Sequence, residues 1–548
     1  FTRSREAPRR RRSTATPQPS LFNNMLSWPE MITALASIFA AFATVLLWRC
    51  FRWRFSPLHK NIPGPIQEFT LRNWVIGVFA TIEKEPFMQP QERWWKEAGP
   101  ETKMLHYTGI FGKHFICVLD VDGVKQILTS NAGVPRPRFV KGLYYLKKVI
   151  GDGLVTIDGH KWHRHRRIIQ PSFTNQALKE ALNTCIPDLM DRMIDAWKER
   201  EGSDIDIASH FSALALDIIG KVAFSHDFRS METVEQWAKD ENCEVELKDP
   251  LINGLYSCLM PSLVRMLLIN LRLSVLEKYL IPESHKTQVI LNKAVESVVE
   301  RAHSRYKHRK EASTKPKCLL ELLFEAKDTD PASQNRSLSH KEMQEETKTF
   351  LVAGHETTST LCVFSIYCLI QHPEKQRLVL EDIVMHAPKD GQITLESLEN
   401  MNYFKAFLKE VLRLYPPVGM VVRSTGEWVN LLGENLPPHT RITIPIYLLH
   451  RNPKYWTEPE SFKPERWLNS NENDRKHHHF AYLPFSAGSR NCIGQRFAMW
   501  EAQLILAPII REFELMLSPA LNGVDLKLVS FITIKSVPPI KICAKQRT

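Results

Sequence analysis

Apolar residues recur at spacings of three and four through several long segments of the chain, which is the pattern of amphipathic helices. These segments are residues 174–199, 284–307, 340–371 and 402–415. Shorter stretches with β-like character predict strands at residues 115–119, 442–446 and 529–534. The pattern therefore predicts a mainly α fold with small β-sheets.

One apolar stretch near the amino end, residues 31–48, carries no charge. Its length is just sufficient to cross a bilayer. Arg49, Arg52 and Arg54 follow it, and the positive-inside rule then leaves this end in the cytosol. A cleaved signal peptide is the alternative, but its positive charges would precede the apolar run. We therefore expect an N-terminal transmembrane helix within a membrane anchor at residues 25–54.

Composition predicts the remaining boundaries. Residues 1–24 form a basic leader with six arginines and one acidic residue, which is typical of organelle transit peptides. Alternatively, translation starts at Met25 and the leader is never made. Residues 55–65 contain two prolines around a glycine and predict a stiff Pro/Gly hinge. Residues 66–548 show no linker or repeat and predict one folded domain.

The segment 251–280 differs from the rest of this domain, because it is apolar, carries few charges and is broken by Pro261. It is too interrupted to span a membrane cleanly. Two interpretations stay open. The segment forms buried core helices, or it forms a surface that enters lipid beside a substrate entrance.

The composition is that of a globular protein, with 43% hydrophobic and 24% charged residues and a net charge of +12. Ten cysteines in 548 residues are too sparse for a disulfide scaffold. No two of them form a C-x-x-C pair, which argues against a multi-cysteine zinc or iron–sulfur site. The mild basic excess fits acidic protein or membrane partners as well as nucleic acid.

The most specific pattern is F-x-x-G-x-R-x-C-x-G, which runs from Phe485 to Gly494. Cys492 lies in a glycine-flanked turn that opens a helix. Backbone N–H groups at a helix start lower the pKa of a thiol, and Arg490 adds positive charge. A single thiolate without a cysteine partner suits haem iron, which accepts one protein ligand on its proximal face.

This pattern resembles the haem-binding signature of the cytochrome P450 family. The resemblance implies a cytochrome P450 fold that encloses haem b. It implies that Cys492 is the axial iron ligand, that Phe485 shields the sulfur, and that Arg490 binds a haem propionate. It also implies that glycines such as Gly488 let the loop backbone approach the porphyrin.

A second segment, residues 351–359, resembles the oxygen-binding stretch of the family's long central helix. By this resemblance Glu356 and Thr357 form the acid–alcohol pair that supplies protons for cleavage of the O–O bond. His355 and Glu356 could begin the H-E-x-x-H motif of zinc proteases, but Ser359 stands where the second histidine is needed.

Further motifs of the same family follow in the expected order. Glu410 and Arg413 lie one helical turn apart and, with Arg466, resemble the family's buried structural triad. Trp162 and Arg166 form a W-x-x-x-R motif that the resemblance assigns to the haem propionates; otherwise they belong to a basic helix face or a nucleic-acid patch. The resemblance assigns Arg423 to a propionate as well. Residues 477–479, a run of three histidines, are interpreted as solvated.

Together these motifs predict a haem-thiolate monooxygenase that inserts one oxygen atom from O2 into a lipophilic substrate such as a fatty acid, sterol, terpenoid or xenobiotic. Two other functions are weighed against it. A haem isomerase or dehydratase of lipid peroxides needs neither dioxygen nor a reductase, and a haem sensor needs no proton relay. Because Glu356 and Thr357 are both present, the monooxygenase is favoured over either.

The chain contains no dinucleotide-binding or Walker motif, so NADPH is expected to act only indirectly, through a separate flavoprotein reductase. An acidic reductase would dock on a basic face made by Lys161, Arg164, Arg167 and Arg496. No nucleic-acid partner is expected. The anchor predicts an endoplasmic reticulum membrane protein with a cytosolic catalytic domain, or a plastid or mitochondrial one if the leader is a transit peptide. Candidate pocket segments are residues 131–150, 251–280, Ala353, 418–422 and 529–532.

Overall fold

The computed structural model describes most of the chain from residue 58 onward. The described ranges are 58–65, 78–82, 85–109, 113–129, 139–141, 144–240, 242–247, 249–259, 273–312, 318–328, 337–388, 391–468, 478–530 and 532–547, with the single positions 33, 36, 37, 40, 43, 44, 47, 265 and 268. The basic leader lies outside them, as does nearly all of the predicted anchor. The compact unit considered below is formed by residues 56–548.

Helices dominate this unit, as the apolar periodicity predicts. In chain order they are α1 (Leu58–Asn61), α2 (Phe79–Ile82), α3 (Gln89–Ala98), α4 (Val121–Thr129), α5 (Tyr144–Ile150), α6 (Gly159–Ile169), α7 (Asn175–Glu199), α8 (Ile207–Phe224), α9 (Met231–Lys239), α10 (Pro250–Leu259), α11 (Glu277–Leu280), α12 (Pro282–Glu311), α13 (Leu319–Asp328), α14 (His340–Gln371), α15 (Pro373–His386), α16 (Asn402–Leu414), α17 (Ile446–Leu449) and α18 (Gln495–Glu512). The four predicted long helices are confirmed as α7, α12, α14 and α16.

The strands are short. They are β1 (Met104–Thr108), β2 (His114–Val118), β3 (Phe139–Lys141), β4 (Ile205–Asp206), β5 (Val421–Thr425), β6 (Val429–Leu431), β7 (Glu434–Leu436), β8 (Arg441–Ile444), β9 (Phe513–Leu517), β10 (Lys527–Ser530), β11 (Ile534–Val537) and β12 (Lys541–Gln546). In the described part of the chain, one five-stranded sheet has the order β1-β2-β8-β5-β3, and the smaller sheets are β4-β12-β9, β10-β11 and β6-β7. Pairing is antiparallel except between β2 and β8.

The predicted strand at residues 529–534 is wrong. These residues contain the turn between β10 and β11, where Ser530 pairs with Ile534 and closes a hairpin. The apolar residues on both sides of the turn produce a single β-like run in the sequence, because periodicity does not reveal a reversal of direction. The strands predicted at 115–119 and 442–446 are confirmed as β2 and β8, each within two residues.

The central helix α14 begins at a capping box. The Ser339 hydroxyl oxygen accepts a hydrogen bond from the Glu342 amide, and the Glu342 carboxylate accepts one from the Ser339 amide at 2.9 Å. These contacts satisfy two donors that a helix start would leave free. The helix is buried along most of its length and packs on α8, with Gly354 against Ile219: a Cβ at Gly354 would lie 2.8 Å from an Ile219 carbon.

Among the described residues one helix, α8, has the length and apolar character of a membrane span, and 72% of it is buried inside the domain. It is therefore a core helix. The described parts of the segment 251–280 differ in exposure: most of α10 is buried, whereas Val275 and Tyr279 are 77% and 69% exposed, and contact with lipid stays a prediction. Residues 58–65, predicted as part of the hinge, pack on β1: the His106 amide donates to the Pro63 carbonyl at 2.8 Å.

Candidate functional site: the cysteine loop and its cavity

The predicted cysteine loop is a closed turn in front of α18. The Cys492 amide donates to the Phe485 carbonyl at 2.9 Å, and a single 3₁₀ turn over Gly488–Arg490 fills the loop between them. Gly494 is the N-cap of α18. Cys492 therefore lies immediately before the start of a long buried helix, as the sequence predicts.

Gly488 is required by the backbone of this loop. Its φ of +73° lies in the left-handed region that favours glycine. A Cβ there would lie 2.3 Å from the Leu128 carbonyl oxygen in α4. Gly488 is not among the described residues that line the cavity below. The structure thus shows that this glycine packs the loop on α4, and its role in the approach of the loop to the porphyrin stays a prediction.

Opposing effects act on the pKa of the Cys492 thiol. Burial raises the pKa of Cys492, and this effect outweighs the opposing backbone hydrogen bond at Gly494 and the charge of Arg166. The helix start and a neighbouring arginine do act in the expected direction, although the arginine is Arg166. A coordinating metal ion deprotonates a thiol outright, so a haem iron bound here would supply the charge that stabilises the thiolate.

Cys492 opens into an internal cavity of about 320 Å³, a volume within the range of about 300–1,000 Å³ typical of small-molecule sites. Phe485, Trp162, Arg166 and Arg490 also line the cavity, together with Thr357 of α14. Most of the lining is apolar: Leu154, Val155, Phe173, Ile219, Phe350, Leu361, Leu412, Pro417, Val418, Val421, Ile446, Ile493 and Phe497. Residues that are far apart in sequence thus meet around the cysteine.

Arg490 connects the cysteine loop to α6. Its guanidinium donates to the Ile157 carbonyl and to Asp158 Oδ1, each at 2.7 Å, and lies 4.1 Å from the centroid of the Trp162 ring. One turn further along α6, Arg166 donates to the backbone and side-chain oxygens of Asn491 at 3.2 Å. The W-x-x-x-R motif is thereby fixed to the cysteine loop.

Positive charge is concentrated beside the cavity, in a group of three arginines, Arg166, Arg423 and Arg490, that we call the arginine rim. Burial lowers the pKa of Arg490 and that of Arg423 to about 10 each, and Asp158 opposes both shifts. The positive charges of Arg166 and Arg423 also lower the pKa of Arg490. The Asp158 carboxylate is ion-paired with Arg490 at 2.7 Å and also acts on Arg423. Guanidinium groups at a cavity suit an anionic partner, and the two propionates of a haem would be such partners. Arg423 itself lies in β5 and does not line the cavity.

The acid–alcohol pair of α14 is divided between two environments. The Thr357 hydroxyl donates to the Ala353 carbonyl at 2.7 Å, and both residues line the cavity. Glu356 is absent from the described lining. Its Oε1 instead lies 2.8 Å from the ammonium of Lys535 in strand β11. Sequence reasoning did not anticipate this partner, since Lys535 belongs to no recognised motif.

The expected structural triad is confirmed. Arg413 Nη2 lies 2.8 Å and Arg466 Nε 3.1 Å from Glu410 Oε1, and all three side chains are buried. Arg413 also donates to the carbonyls of His450, Pro459 and Ser461. A buried ion pair is favourable only when such additional hydrogen bonds satisfy its remaining donors.

His450, which the sequence analysis missed, links this triad to the cysteine loop. Its Nδ1 donates to the Arg413 carbonyl at 3.0 Å, and its Nε2 accepts from the Leu483 amide at 2.8 Å, two residues before Phe485. Both bonds require a neutral ring, and burial lowers the pKa of His450 to about 3. His165, also missed, ties α6 to α14 through a bond of 2.7 Å to Glu346.

The predicted basic face is only partly free for a partner. Arg167 and Arg496 are exposed. Lys161 lies 2.9 Å from Asp152, and Arg164 is paired with Glu342. Of the three histidines at 477–479, His477 lies outside the described residues, His478 accepts from the Phe480 amide at 3.2 Å, and His479 is exposed.

Comparison with known proteins agrees with this geometry. The chain matches the family model described as cytochrome P450 over residues 71–543, and it belongs to the cytochrome P450 family. It is 31% identical to cytochrome P450 4X1 of Homo sapiens over 74% of this chain and 77% of that protein. It is 32% identical to cytochrome P450 4A10 of Rattus norvegicus over the same shares. The haem domain of cytochrome P450DA is a structural neighbour with a TM-score of 0.69, 24% identity and coverage of 89% of this chain and 98% of that one.

The chain is accordingly a cytochrome P450 monooxygenase, and its cofactor is haem b. The residues present fit this group. Cys492 lines the cavity, most of the lining is apolar, and the guanidinium groups of Arg166 and Arg490 are available there for the propionates.

Proposed function

We propose that this enzyme hydroxylates a lipophilic substrate at a membrane, with electrons from an NADPH-dependent flavoprotein reductase. The proposal rests on one observation: Cys492, Thr357 and two arginines, Arg166 and Arg490, line the same apolar cavity. When bound, haem supplies the activation of dioxygen, and the protein supplies positioning, charge and protons.

Cys492 would ligate the iron, and the ring of Phe485 would keep water from the sulfur. Arg166, Arg423 and Arg490 would neutralise the propionates, with Trp162 holding Arg490 in place. Charge-assisted hydrogen bonds of this kind are strong where they are shielded from water. These contacts would fix the orientation of the haem, so that the face of α14 that lines the cavity lies on the side where the substrate binds.

Thr357 and Glu356 would supply protons. In the structure the Thr357 hydroxyl proton is directed to the Ala353 carbonyl, so Thr357 must rotate before it can donate into the cavity. The same pair favours a monooxygenase over an isomerase of lipid peroxides and over a haem sensor, because neither of those functions consumes protons in this way.

An apolar molecule is the favoured substrate. Ala353, Val418 and Val421, three positions of the predicted pocket segments, line the cavity. Its lining offers an extended apolar surface with few polar groups, which suits a fatty acid, sterol or terpenoid. Exposed apolar residues around Val275 and Tyr279 would contact the membrane in which such molecules dissolve, at the endoplasmic reticulum if the anchor is as predicted.

Thr357→Ala tests the proton supply. In a system reconstituted with a flavoprotein reductase, NADPH and a panel of lipids that perturb the haem absorbance, we expect the variant to consume NADPH but to release more hydrogen peroxide. The expected loss of product per NADPH is roughly 10²-fold, the usual contribution of a positioned proton donor. Product carrying one atom of labelled O2 is expected from the wild type. Unchanged coupling in Thr357→Ala would contradict the assigned role.

A further inference from the structure

The ion pair between Glu356 and Lys535 connects the central helix to the C-terminal hairpin. The two charged atoms are 2.8 Å apart; the Glu356 side chain is 8% exposed, whereas that of Lys535 is 52% exposed. The pair therefore reaches from the buried helix to the protein surface.

The pair belongs to a small polar cluster beside the cavity. The Lys535 ammonium lies 5.6 Å from the ring centroid of Tyr256 in α10. The Tyr256 hydroxyl is 2.6 Å from His355 Nε2, and His355 Nδ1 is 2.8 Å from the Leu351 carbonyl. His355 therefore donates through Nδ1 and accepts from Tyr256 as a neutral ring, in keeping with its pKa, which burial lowers. Lys535 supplies the positive charge that faces Glu356.

The hairpin that carries Lys535 is fixed on both strands. The Ile534 amide donates to the Pro417 carbonyl at 2.9 Å, and the Phe87 amide donates to the Leu528 carbonyl at 2.7 Å. Successive residues of a helix point about 100° apart. Thr357 points into the cavity while Glu356, one residue earlier, points to this hairpin.

We propose that Lys535 is a positioning residue of the oxygen-activation step, which holds the Glu356 carboxylate away from the cavity until the pair opens. The inference rests on the relay role proposed above for Glu356. On opening, the carboxylate takes a proton from a hydronium ion of the solvent at the exposed end of the pair, which leaves water, and passes the proton toward Thr357. The Lys535 ammonium attracts the carboxylate, so that Glu356 recovers its outward position after each transfer.

Lys535→Met tests this role, with Lys535→Arg as the conservative variant and Lys527→Met as a matched control on the neighbouring strand. Without the ammonium, Glu356 loses the partner that holds its carboxylate at the hairpin. We expect product per NADPH to fall several-fold in Lys535→Met, with a matching rise in hydrogen peroxide. Lys535→Arg and Lys527→Met should keep the wild-type coupling.

A second readout does not depend on turnover. The melting temperature of the haem-loaded protein should fall in Lys535→Met but not in Lys527→Met, and Lys535→Met should cause no additional fall in a Glu356→Gln background. Unchanged coupling in Lys535→Met, with coupling still impaired in Glu356→Gln, would overturn the role of Lys535 alone. Normal coupling in Glu356→Gln would overturn the relay, and the inference with it.

Discussion

At the scale of single residues, the cysteine loop depends on a backbone conformation that one glycine permits. Gly488 combines a positive φ with a contact that leaves no room for a Cβ beside the Leu128 carbonyl. The first condition costs an alanine about 1 kcal/mol. The second forces the loop or α4 to move.

We therefore expect Gly488→Ala to lower the free energy of unfolding by at least about 2 kcal/mol and to weaken haem retention, because the displaced loop carries Cys492. Gly433→Ala is the matched control: its φ is also positive, at +94°, but nothing lies within 4 Å of the added carbon. That variant should lose only about 1 kcal/mol. Equal losses in urea unfolding and haem content for both variants would argue against the contact with Leu128.

The motifs of the sequence were sufficient to predict that Cys492, Trp162, Arg166 and Arg490 lie at one site, since all four line the cavity, whereas their roles toward haem and that of Arg423 stay predictions. The direction in which the pKa of the Cys492 thiol shifts could not be predicted in this way. It depends on how deeply the sulfur is buried, which is a property of the whole domain.

At the scale of elements, the support of the site comes from contacts between segments that are distant in sequence. His450 joins α16 to the residues before Phe485 through one ring, and its two partners lie 37 and 33 positions away. No local pattern marks such a histidine. The split of 529–534 into two strands is a similar case, because the turn is defined by pairing and not by composition.

His450 makes a pH-dependent contribution to stability. Its pKa is about 3 in the folded chain and about 6.5 in an unfolded one. Below pH ~6.5 the unfolded state binds a proton that the folded state does not, so the free energy of unfolding falls as the pH falls. The slope attributable to His450 is about 1.4 kcal/mol per pH unit between pH ~6 and ~3.

His450→Gln should retain both hydrogen-bonding functions and remove this slope, as measured by urea unfolding between pH 7 and 5. His308→Gln, at an exposed position of α12, should leave the slope unchanged. A wild-type slope in His450→Gln would mean that the ring is not the titrating group.

At the scale of the whole molecule, the helical character of the domain could be predicted, because the long helices α7, α12, α14 and α16 carry clear apolar periodicity. The strand order of the five-stranded sheet could not be predicted. Its strands come from segments spread between residues 104 and 444, and these segments meet only in the folded chain.

The unit formed by residues 56–548 holds the cavity, the arginine rim and the triad. We expect a protein lacking residues 1–54 to fold, to bind haem and to shift from the membrane fraction toward the soluble fraction, with residual membrane binding through the exposed apolar residues around Val275. Loss of haem on truncation would contradict this division of the chain, and undiminished membrane binding would contradict the predicted anchor.

The bond between the Cys492 sulfur and haem iron is the central claim, and the absorbance of the reduced carbon monoxide complex tests it most directly. We expect the wild type to show the strongly red-shifted band of a thiolate-ligated haem, and Cys492→Ser to lack it. Cys185→Ser, at a half-buried cysteine of α7 away from this loop, should keep the band. A red-shifted band that survives in Cys492→Ser would contradict the assignment of the ligand.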